Sequence, residues 1–223
     1  MQVVEISEEL VSAVPTLQLS CIECDVEMQE KNDHLWEEIV SKIDELNRSL
    51  KVEDISKLPA IAASRLAYKA CGKDPARYRL SAEALLRRVV NRNELYQVNN
   101  VVDALNLVSI SCGFSIGGYD AGKINGKAVF GIGKKDEPYQ GIGRGELNIE
   151  SMPVFRDELG AFGTPTSDSV RTSVTMETKR FLMIIIDYGT EKALLDEATQ
   201  LAGKLLSKFA KATNFEFKTV STI

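Results

Sequence analysis

The stretch RFLMIIIDYG, Arg180–Gly189, constrains the fold of this chain more than any other part of it. Its apolar run, Phe181 to Ile186, ends at Asp187, shortly before Gly189. Such a run is far too short to span a bilayer, which takes roughly 18 residues or more. It predicts a β-strand buried on both faces, so we expect a sheet that is covered on both sides.

The rest of the chain alternates between helical and extended patterns. Alternating apolar and polar residues predict strands at TLQLSCIECDVEM (Thr16–Met28) and at the C-terminal NFEFKTVST. Most of the glycines lie between Gly113 and Arg180, where they separate short β-prone runs such as KAVFGIG and PYQGIG. Helical spacing of apolar residues predicts five helices, marked by a cap at Asn32 or Asp33, a Pro59–Gly72 segment, a cap at Ser81, a stop at Gly113 and a start at Thr190. Together these patterns predict an α+β or α/β fold with mixed sheets and flanking helices.

We expect this fold to form one compact unit made of two regions. Residues 1–76 are the N-terminal strand-helix region, and residues 77–223 are the core against which it packs. The start of the chain shows no secretory signal, and the four cysteines have no disulfide-like spacing. We therefore expect a cytoplasmic protein, with neither a membrane nor DNA among its partners.

Charge is distributed unevenly along the chain. Residues 1–54 hold 4 basic and 14 acidic side chains, whereas residues 55–100 hold 9 basic and 3 acidic ones. Such a basic zone suits a phosphate backbone, although basic residues on helix faces are often simply solvated. The candidates for RNA contact are Arg79, Arg87, Arg88 and Arg92.

The stretch SIGGYDAGKING, Ser115–Gly126, matches part of the spacing of a phosphate-binding loop. A phosphate-binding loop follows a buried strand and opens a helix, and a Ser or Thr follows its lysine. Here the stretch follows a predicted helix, Ile124 follows Lys123, and a strand is predicted next. We expect a turn that leads from the helix into the glycine-rich region, without a nucleotide.

The cysteine pair CIEC, Cys21 and Cys24, invites a metal or redox interpretation. In an extended strand, residues three apart point to opposite faces, and the sequence has no second such pair. We expect two buried structural thiols, no bound metal and no cofactor. The single histidine, His34, is expected near the start of a helix, outside any nucleophilic machinery.

Two polar clusters are the candidate ligand sites. Within NNVVDALNLVS, three polar residues recur at helical spacing and could line a pocket or face water: Asn99, Asp103 and Asn106. Within GAFGTPTSDSVRTSVTMET, a carboxylate and several hydroxyls follow Gly and Pro turns, as in a site for an amino group, although Thr-rich strand edges are also common: Asp168, Ser169, Thr172 and Thr175.

The order of these motifs resembles the B3/4 domain of the β subunit of bacterial phenylalanyl-tRNA synthetase, and above all free-standing proteins built on that domain. The resemblance covers roughly residues 77–189. VVDALNLV followed by GFSIGGYD parallels the family's V-V-D-x-x-N-x-x and G-x-P-x-H-x-[FY]-D, and the second motif places Tyr119 and Asp120 among the candidate binding residues. The resemblance implies a layered fold whose pocket acts on an amino acid esterified to the 3′ end of tRNA.

Two departures from the family pattern bear on chemistry. Gly117 stands where the family's editing histidine lies, and GTPTSDS replaces the G-G-x-x-S turn that carries its glutamate, leaving Asp168 as the nearest carboxylate. The chain also shows none of the synthetase's catalytic core, so we do not expect it to aminoacylate tRNA by itself. We expect Asn106, Tyr119 and Asp168 to flank one pocket.

Three functions stay open at this point. The chain could bind an aminoacyl-tRNA 3′ end or a free amino acid without chemistry, or it could hydrolyse mischarged tRNA, with Asp168 orienting the water. It could also be an enzyme on another small substrate that uses the Asp103, Asp120 and Asp157 carboxylates, with or without a divalent metal.

Overall fold

The structure is a computed structural model that describes residues 1–93 and 95–222. The helices are α1 Glu8–Ala13, α2 Asp33–Ser49, α3 Pro59–Ala70, α4 Ser81–Val90, α5 Asn100–Cys112 and α6 Lys192–Phe209. The strands are β1 Val4–Ile6, β2 Gln18–Asp25, β3 Ser115–Asp120, β4 Ala128–Ile132, β5 Gln140–Gly141, β6 Gly145–Glu146, β7 Pro153–Asp157, β8 Gly160–Gly163, β9 Arg180–Asp187 and β10 Thr213–Ser221.

Two four-stranded sheets form the centre of the fold. The first has the order β10-β2-β9-β3, with all neighbours antiparallel. The second has the order β1-β4-β7-β8, in which β1 runs parallel to β4 and the other neighbours are antiparallel. Of the two predicted classes, α+β and α/β, the structure shows α+β, and the predicted mixed sheet and flanking helices are confirmed.

β9 is buried on both faces, as its apolar run predicts. Phe181, Met183 and Ile185 pack in a core shared with α2, α5 and α6. The alternate residues Leu182 and Ile184 pack in a second core between the two sheets, which also contains phenylalanines of β4, β7 and β8. Because successive strand residues point to opposite faces, one strand joins both cores, and the molecule has a helical layer and two sheet layers.

α5 is fixed at both ends by the residues its sequence supplies. The Asn99 side chain accepts a hydrogen bond from the Val102 amide at 2.9 Å, and Gly113 ends the helix with φ +77°. The buried Asn100 carboxamide donates to the carbonyl oxygens of Glu27 and Phe209 at 2.8 and 2.9 Å. These bonds hold α5 against the first sheet and α6.

Three local expectations are corrected. Ser81 is the first residue of α4 and does not cap it through its side chain, and α6 begins at Lys192 beside Glu191, two residues after Thr190. The stretch predicted to be a turn is β3 itself, followed by a short 3-10 helix at Ala121–Lys123. Gly117 and Gly118 favoured a turn in the sequence, but in β3 they allow close packing.

Residues before position 77 contribute to both sheets, because β1 pairs with β4 and β2 lies between β9 and β10. The division at residue 76 stays a prediction. Cys21 and Cys24 are buried in different cores, as expected for structural thiols. Within the described residues, no helix is both long and apolar enough to cross a membrane.

Candidate ligand-binding cavity

A cavity of about 430 Å³ lies between α4, α5 and β3, and the segments around residues 142–143 and 168–174 close it. Its walls are largely aliphatic, formed by residues that include Val102, Leu105 and Ile116. The polar side chains in its lining are Ser81, Asn106, Ser109, Asp168 and Ser173. Asp168 is the one charged side chain among the described residues that line it. An apolar cavity with a few polar groups is typical of a small-ligand site.

Asp168 supplies the negative charge of the cavity. Its Oδ2 accepts a hydrogen bond from the Gly118 amide at 3.2 Å, whereas Oδ1 is buried without a hydrogen-bond partner among the described residues. Burial raises the pKa of this carboxyl from 3.8 to about 7, and the Gly118 amide and the nearby Tyr119 hydroxyl oppose that rise. A buried carboxylate without a full set of donors is costly, so a positive charge in the cavity would stabilise it.

The turn GTPTSDS holds Asp168 in place through its own hydroxyls. Thr164 Oγ1 donates to the Ser167 carbonyl oxygen at 2.9 Å and accepts from the Ser167 amide at 3.0 Å. Two buried tyrosines also contact the turn. The Tyr139 hydroxyl donates to the Ser167 carbonyl oxygen at 2.6 Å, and the Tyr68 hydroxyl lies 2.9 Å from Thr166 Oγ1. Asp168 therefore sits on a rigid support.

Tyr119 lies behind the cavity, on the opposite face of β3. Its ring is fully buried against Phe155 and Phe162, and its hydroxyl has no hydrogen bond of normal geometry within the described part of the chain. Burial raises the pKa of Tyr119 well above its usual value, and the nearby Asp168 charge raises it further. The expected grouping is thus met in part, because Asn106 and Asp168 line the cavity and Tyr119 supports it from behind.

Asn99 and Asp103 do not reach the cavity, although they share a helical face with Asn106. Asn99 caps α5, and the buried Asp103 carboxylate accepts from the Val98 amide at 3.0 Å. Burial raises the pKa of Asp103 to about 6. Val98 itself lines the cavity, so Asp103 shapes one wall from behind.

The other predicted binding residues lie outside the cavity lining. Asp120 accepts from Thr178 Oγ1 at 2.9 Å and from the Gly122 amide at 3.1 Å. Ser169 accepts from the Arg171 amide at 3.0 Å, Thr172 Oγ1 lies 3.4 Å from the Phe162 carbonyl oxygen, and Thr175 Oγ1 accepts weakly from the Glu177 amide. Their role in ligand binding stays a prediction, and the contacts they make here hold the local backbone.

Sequence reasoning missed the serines of the cavity. Ser109 lies one turn after Asn106 on α5, so the polar stripe of that helix could have identified it. Ser81 was assigned to a cap, and Ser173 lies two residues before the predicted Thr175. Only the close approach of α4 and the 168–174 segment to α5 brings these hydroxyls together.

The four candidate RNA-binding arginines fall into two groups. Arg79 and Arg87 lie beside the buried Glu83 carboxylate, at 4.0 and 3.0 Å, and Arg65 of α3 also pairs with it, at 2.8 Å. Arg88 stacks on the Tyr96 ring, with 4.2 Å between its Cζ and the ring centroid, and Arg92 lies in the segment that follows α4. The first group ties α4 to α3, and the second faces a different surface.

The carboxylates of the metal hypothesis are held apart. Asp157 is paired with Arg171 through two hydrogen bonds, of 2.8 and 2.9 Å, while Asp103 and Asp120 are bound by the groups described above. Residues 1–93 and 95–222 contain no group of three or more His, Cys, Asp or Glu side chains that could hold a metal ion. His34 is exposed on the first turn of α2, 3.3 Å from Glu37.

Comparison with known proteins places this geometry in context. A family model described as the B3/4 domain matches residues 63–211. One solved structure with a similar fold is an N-terminal fragment of the phenylalanyl-tRNA synthetase β subunit from Pyrococcus horikoshii, with 14% sequence identity and a TM-score of 0.50. The match covers 98% of this chain and 50% of that fragment, so the chain spans about half the length of its structural neighbour. No curated protein sequence matches the chain significantly.

Proposed function

Because the chain belongs to the B3/4 domain family, we propose that its cavity binds an amino acid whose carboxyl group is esterified or amidated, as at the 3′ end of an aminoacyl-tRNA. The observation that carries this proposal is the largely buried Asp168 carboxyl, the one charged side chain among the described residues of the lining. An ammonium group has three donors and no acceptor, so it can donate to this carboxylate and neutralise its charge.

The charge of the lining favours an ester or amide over a free amino acid. A free amino acid carries a carboxylate, and burying an unpaired charge is strongly unfavourable. No lysine, arginine or histidine of the described chain lines the cavity to neutralise such a carboxylate. An esterified amino acid brings only the ammonium group, which Asp168 neutralises.

The lining also limits the amino acid side chain. Leu85, Val102 and Leu105 give the cavity apolar walls, and burial of apolar surface contributes roughly 25 cal/mol per Å². We expect an apolar side chain to lie against these walls. The Asn106 carboxamide then remains to donate to the ester or amide carbonyl, since the Ser109 hydroxyl already donates to the Phe114 carbonyl oxygen at 2.8 Å.

Thermal-shift measurements with three related compounds test this proposal. L-Phenylalaninamide and L-leucinamide keep the ammonium group and lack the carboxylate, whereas free L-phenylalanine carries both. A ligand at about 100 times its dissociation constant stabilises a protein by roughly 2.7 kcal/mol, which raises the melting temperature measurably. We expect a shift with the amides and a much smaller one with the free amino acid.

Asp168→Asn is the decisive variant, because it keeps the side-chain shape and removes the charge. It should abolish the shift caused by the amides. Asp196→Asn is the matched control, since Asp196 is exposed on α6 and lies outside the cavity lining. Equal shifts in the wild type and Asp168→Asn would disprove ammonium binding at Asp168.

A second candidate function, hydrolysis of the bound ester, rests on the pKa of Asp168. A general base works best when its pKa is near the working pH, and burial raises that of Asp168 to about 7. His34 is exposed on α2 and does not line the cavity, so Asp168 would have to orient the attacking water itself. Release of amino acid from misacylated tRNA, lost in Asp168→Asn, would establish hydrolysis; stable binding without release leaves binding alone.

The carrier of the aminoacyl group and the cellular location of the protein are proposed on the basis of this function. We propose tRNA as the natural carrier of the aminoacyl group and the cytoplasm as the location. Arg79, Arg87, Arg88 and Arg92 remain proposed RNA contacts. Arg79 and Arg87 would have to bind RNA while they lie beside Glu83.

A further inference from the structure

A second concave surface, here called the α2 groove, lies between α2 and residues 92, 93 and 95–97 and has a volume of about 990 Å³. Two aromatic side chains line it, Trp36 from α2 and Tyr96 from the facing segment. Arg48 and Arg92 line the same groove, together with side-chain carboxamides that include Asn47 and Asn93. Aromatic rings, guanidinium groups and carboxamides are the groups with which proteins bind unpaired nucleotides.

Tyr96 presents an open ring face to this groove. The ring is 72% exposed, which is unusual for a tyrosine, and the Arg88 guanidinium covers one face at 4.2 Å. The face that Arg88 leaves uncovered can stack on a nucleobase, and the cation behind the ring strengthens such a stack.

The arginines of the groove retain donors for an anion. Arg48 donates its Nε to the Asp44 main-chain carbonyl oxygen at 3.0 Å, which leaves its terminal nitrogens available. Neither Arg48 nor Arg92 forms an ion pair with a carboxylate of the described residues. Among the described residues of the lining, the two arginines face one acidic residue, Asp44, so the described lining has a formal charge of +1. That sign suits phosphate groups.

The α2 groove and the ligand cavity share a wall. Gln97 lines the groove and the next residue, Val98, lines the cavity. On α4, Val89 faces the groove and Leu85, one turn earlier, faces the cavity. The groove and the cavity are therefore neighbours on the same side of the molecule.

We propose that the α2 groove binds the single-stranded RNA nucleotides that precede the esterified end, with a base stacked on Tyr96 and phosphates bound by Arg48 and Arg92. The link to an esterified end rests on the proposed function of the cavity, whereas RNA binding in the groove stands on the groove's own geometry. Half of the groove comes from α2, which precedes the residues matched by the family model.

The groove carries its own reporter, because Trp36 is the only tryptophan of the chain. Titration with a single-stranded RNA hexanucleotide that carries no amino acid should quench Trp36 fluorescence in a saturable way, and the duplex of the same sequence should not. Tyr96→Ala should weaken binding of the single-stranded RNA by about 5- to 150-fold, the range expected for losing one stacked base. Its melting temperature should stay close to that of the wild type, since Tyr96 is exposed.

Matched variants separate this site from general surface effects. Arg92→Gln should lower the slope of log affinity against log salt by about 0.7, the value for one phosphate contact on a single strand. Lys135→Gln removes one exposed positive charge elsewhere, and Phe217→Ala removes an exposed aromatic on β10; both should leave quenching unchanged.

The two proposals fail separately. Quenching by RNA without a thermal shift by amino acid amides would keep the groove and reject the cavity function. Absence of quenching, or equal affinity in Tyr96→Ala and Phe217→Ala, would overturn the groove proposal. Quenching by an unrelated peptide at the same concentrations, and not by RNA, would also overturn it.

Discussion

A Cβ atom at Gly117 would stand 2.6 Å from Cζ of Tyr119, because the two residues share a face of β3 and the Tyr119 ring lies over Gly117. Gly163 of β8 approaches the same ring from the other sheet, where a Cβ would stand 2.7 Å from that Cζ. Real Cβ atoms essentially never come within 3.0 Å of a heavy atom outside their own residue and its two chain neighbours. The Tyr119 ring therefore fills the space beside Gly117, and only a glycine fits there without a shift of the ring.

Gly117→Ala should destabilise the fold by about 1–3 kcal/mol, the usual cost of overpacking a core. Gly203→Ala is the control, because its Cβ would only reach ordinary contact with Phe217 at 3.5 Å, and alanine favours a helix. Denaturant unfolding measures both. A smaller cost of Gly117→Ala in a Tyr119→Leu background would assign the effect to the Tyr119 ring, and an equal cost would refute that assignment.

Asp168→Asn should raise stability at pH 8 relative to the wild type. Burial raises the pKa of the folded-state carboxyl to about 7, above the unfolded value of 3.8. Between these pH values the unfolded chain releases a proton that the folded chain keeps, so wild-type stability falls as pH rises from about 4 to 7. The variant should escape a loss of up to about 4 kcal/mol, which pH-dependent unfolding measures. Parallel curves for the two proteins would contradict this.

Affinity for L-phenylalaninamide should be greatest in a narrow pH range. Below about 7, Asp168 takes up a proton and loses its charge. Above about 8, the ligand's amino group loses its own proton, given an ordinary α-amino pKa near 7.7–8.0. Isothermal titration calorimetry from about pH 5.5 to about pH 9.5 extends roughly 1.5 pH units beyond each of these pKa values. The affinity plotted against pH should therefore give a bell-shaped curve. Affinity that is flat between pH 5.5 and 7 would exclude the Asp168 carboxylate as the acceptor.

Glu83→Gln should destabilise the contact between α3 and α4. Glu83 is 1% exposed and pairs with Arg65 and Arg87, and charge-assisted hydrogen bonds contribute about 1.5–3 kcal/mol each when they are well formed. Because both arginines stay partly in contact with solvent, we expect a total loss of about 1–3 kcal/mol. Glu37→Gln, which breaks the exposed pair with His34, should change stability by less than about 0.5 kcal/mol.

The elements of the fold could be predicted from local pattern. The apolar run of β9, the alternation in β2, the Asn32 cap of α2 and the Gly113 stop of α5 all appear where their residues indicate. Periodicity and capping act within a few residues, so a sequence shows them directly. The same locality explains the error at Ser115–Gly126, where two glycines favoured a turn but serve the packing of a strand.

The sequence predicted a cavity residue correctly only where a conspicuous polar side chain also faces the cavity in the folded chain. Asp168 and Asn106 stand out in the sequence and line the cavity, whereas Thr172 and Thr175, equally polar, bind the backbone nearby. A hydroxyl in a turn can face a ligand or a carbonyl oxygen with the same sequence signature. Which of the two the hydroxyl faces depends on neighbouring residues that are distant in the sequence.

The sequence by itself determined that this chain combines helices with mixed sheets around a doubly buried strand, and that position 117 carries no side chain. Only the tertiary structure decided that the Tyr119 ring fills the space beside Gly117, that Asp168 lines the cavity, and that Trp36 and Tyr96 share a groove beside that cavity. Burial and the pairing of polar atoms depend on contacts between residues far apart in sequence, and these contacts exist only once the layers have packed.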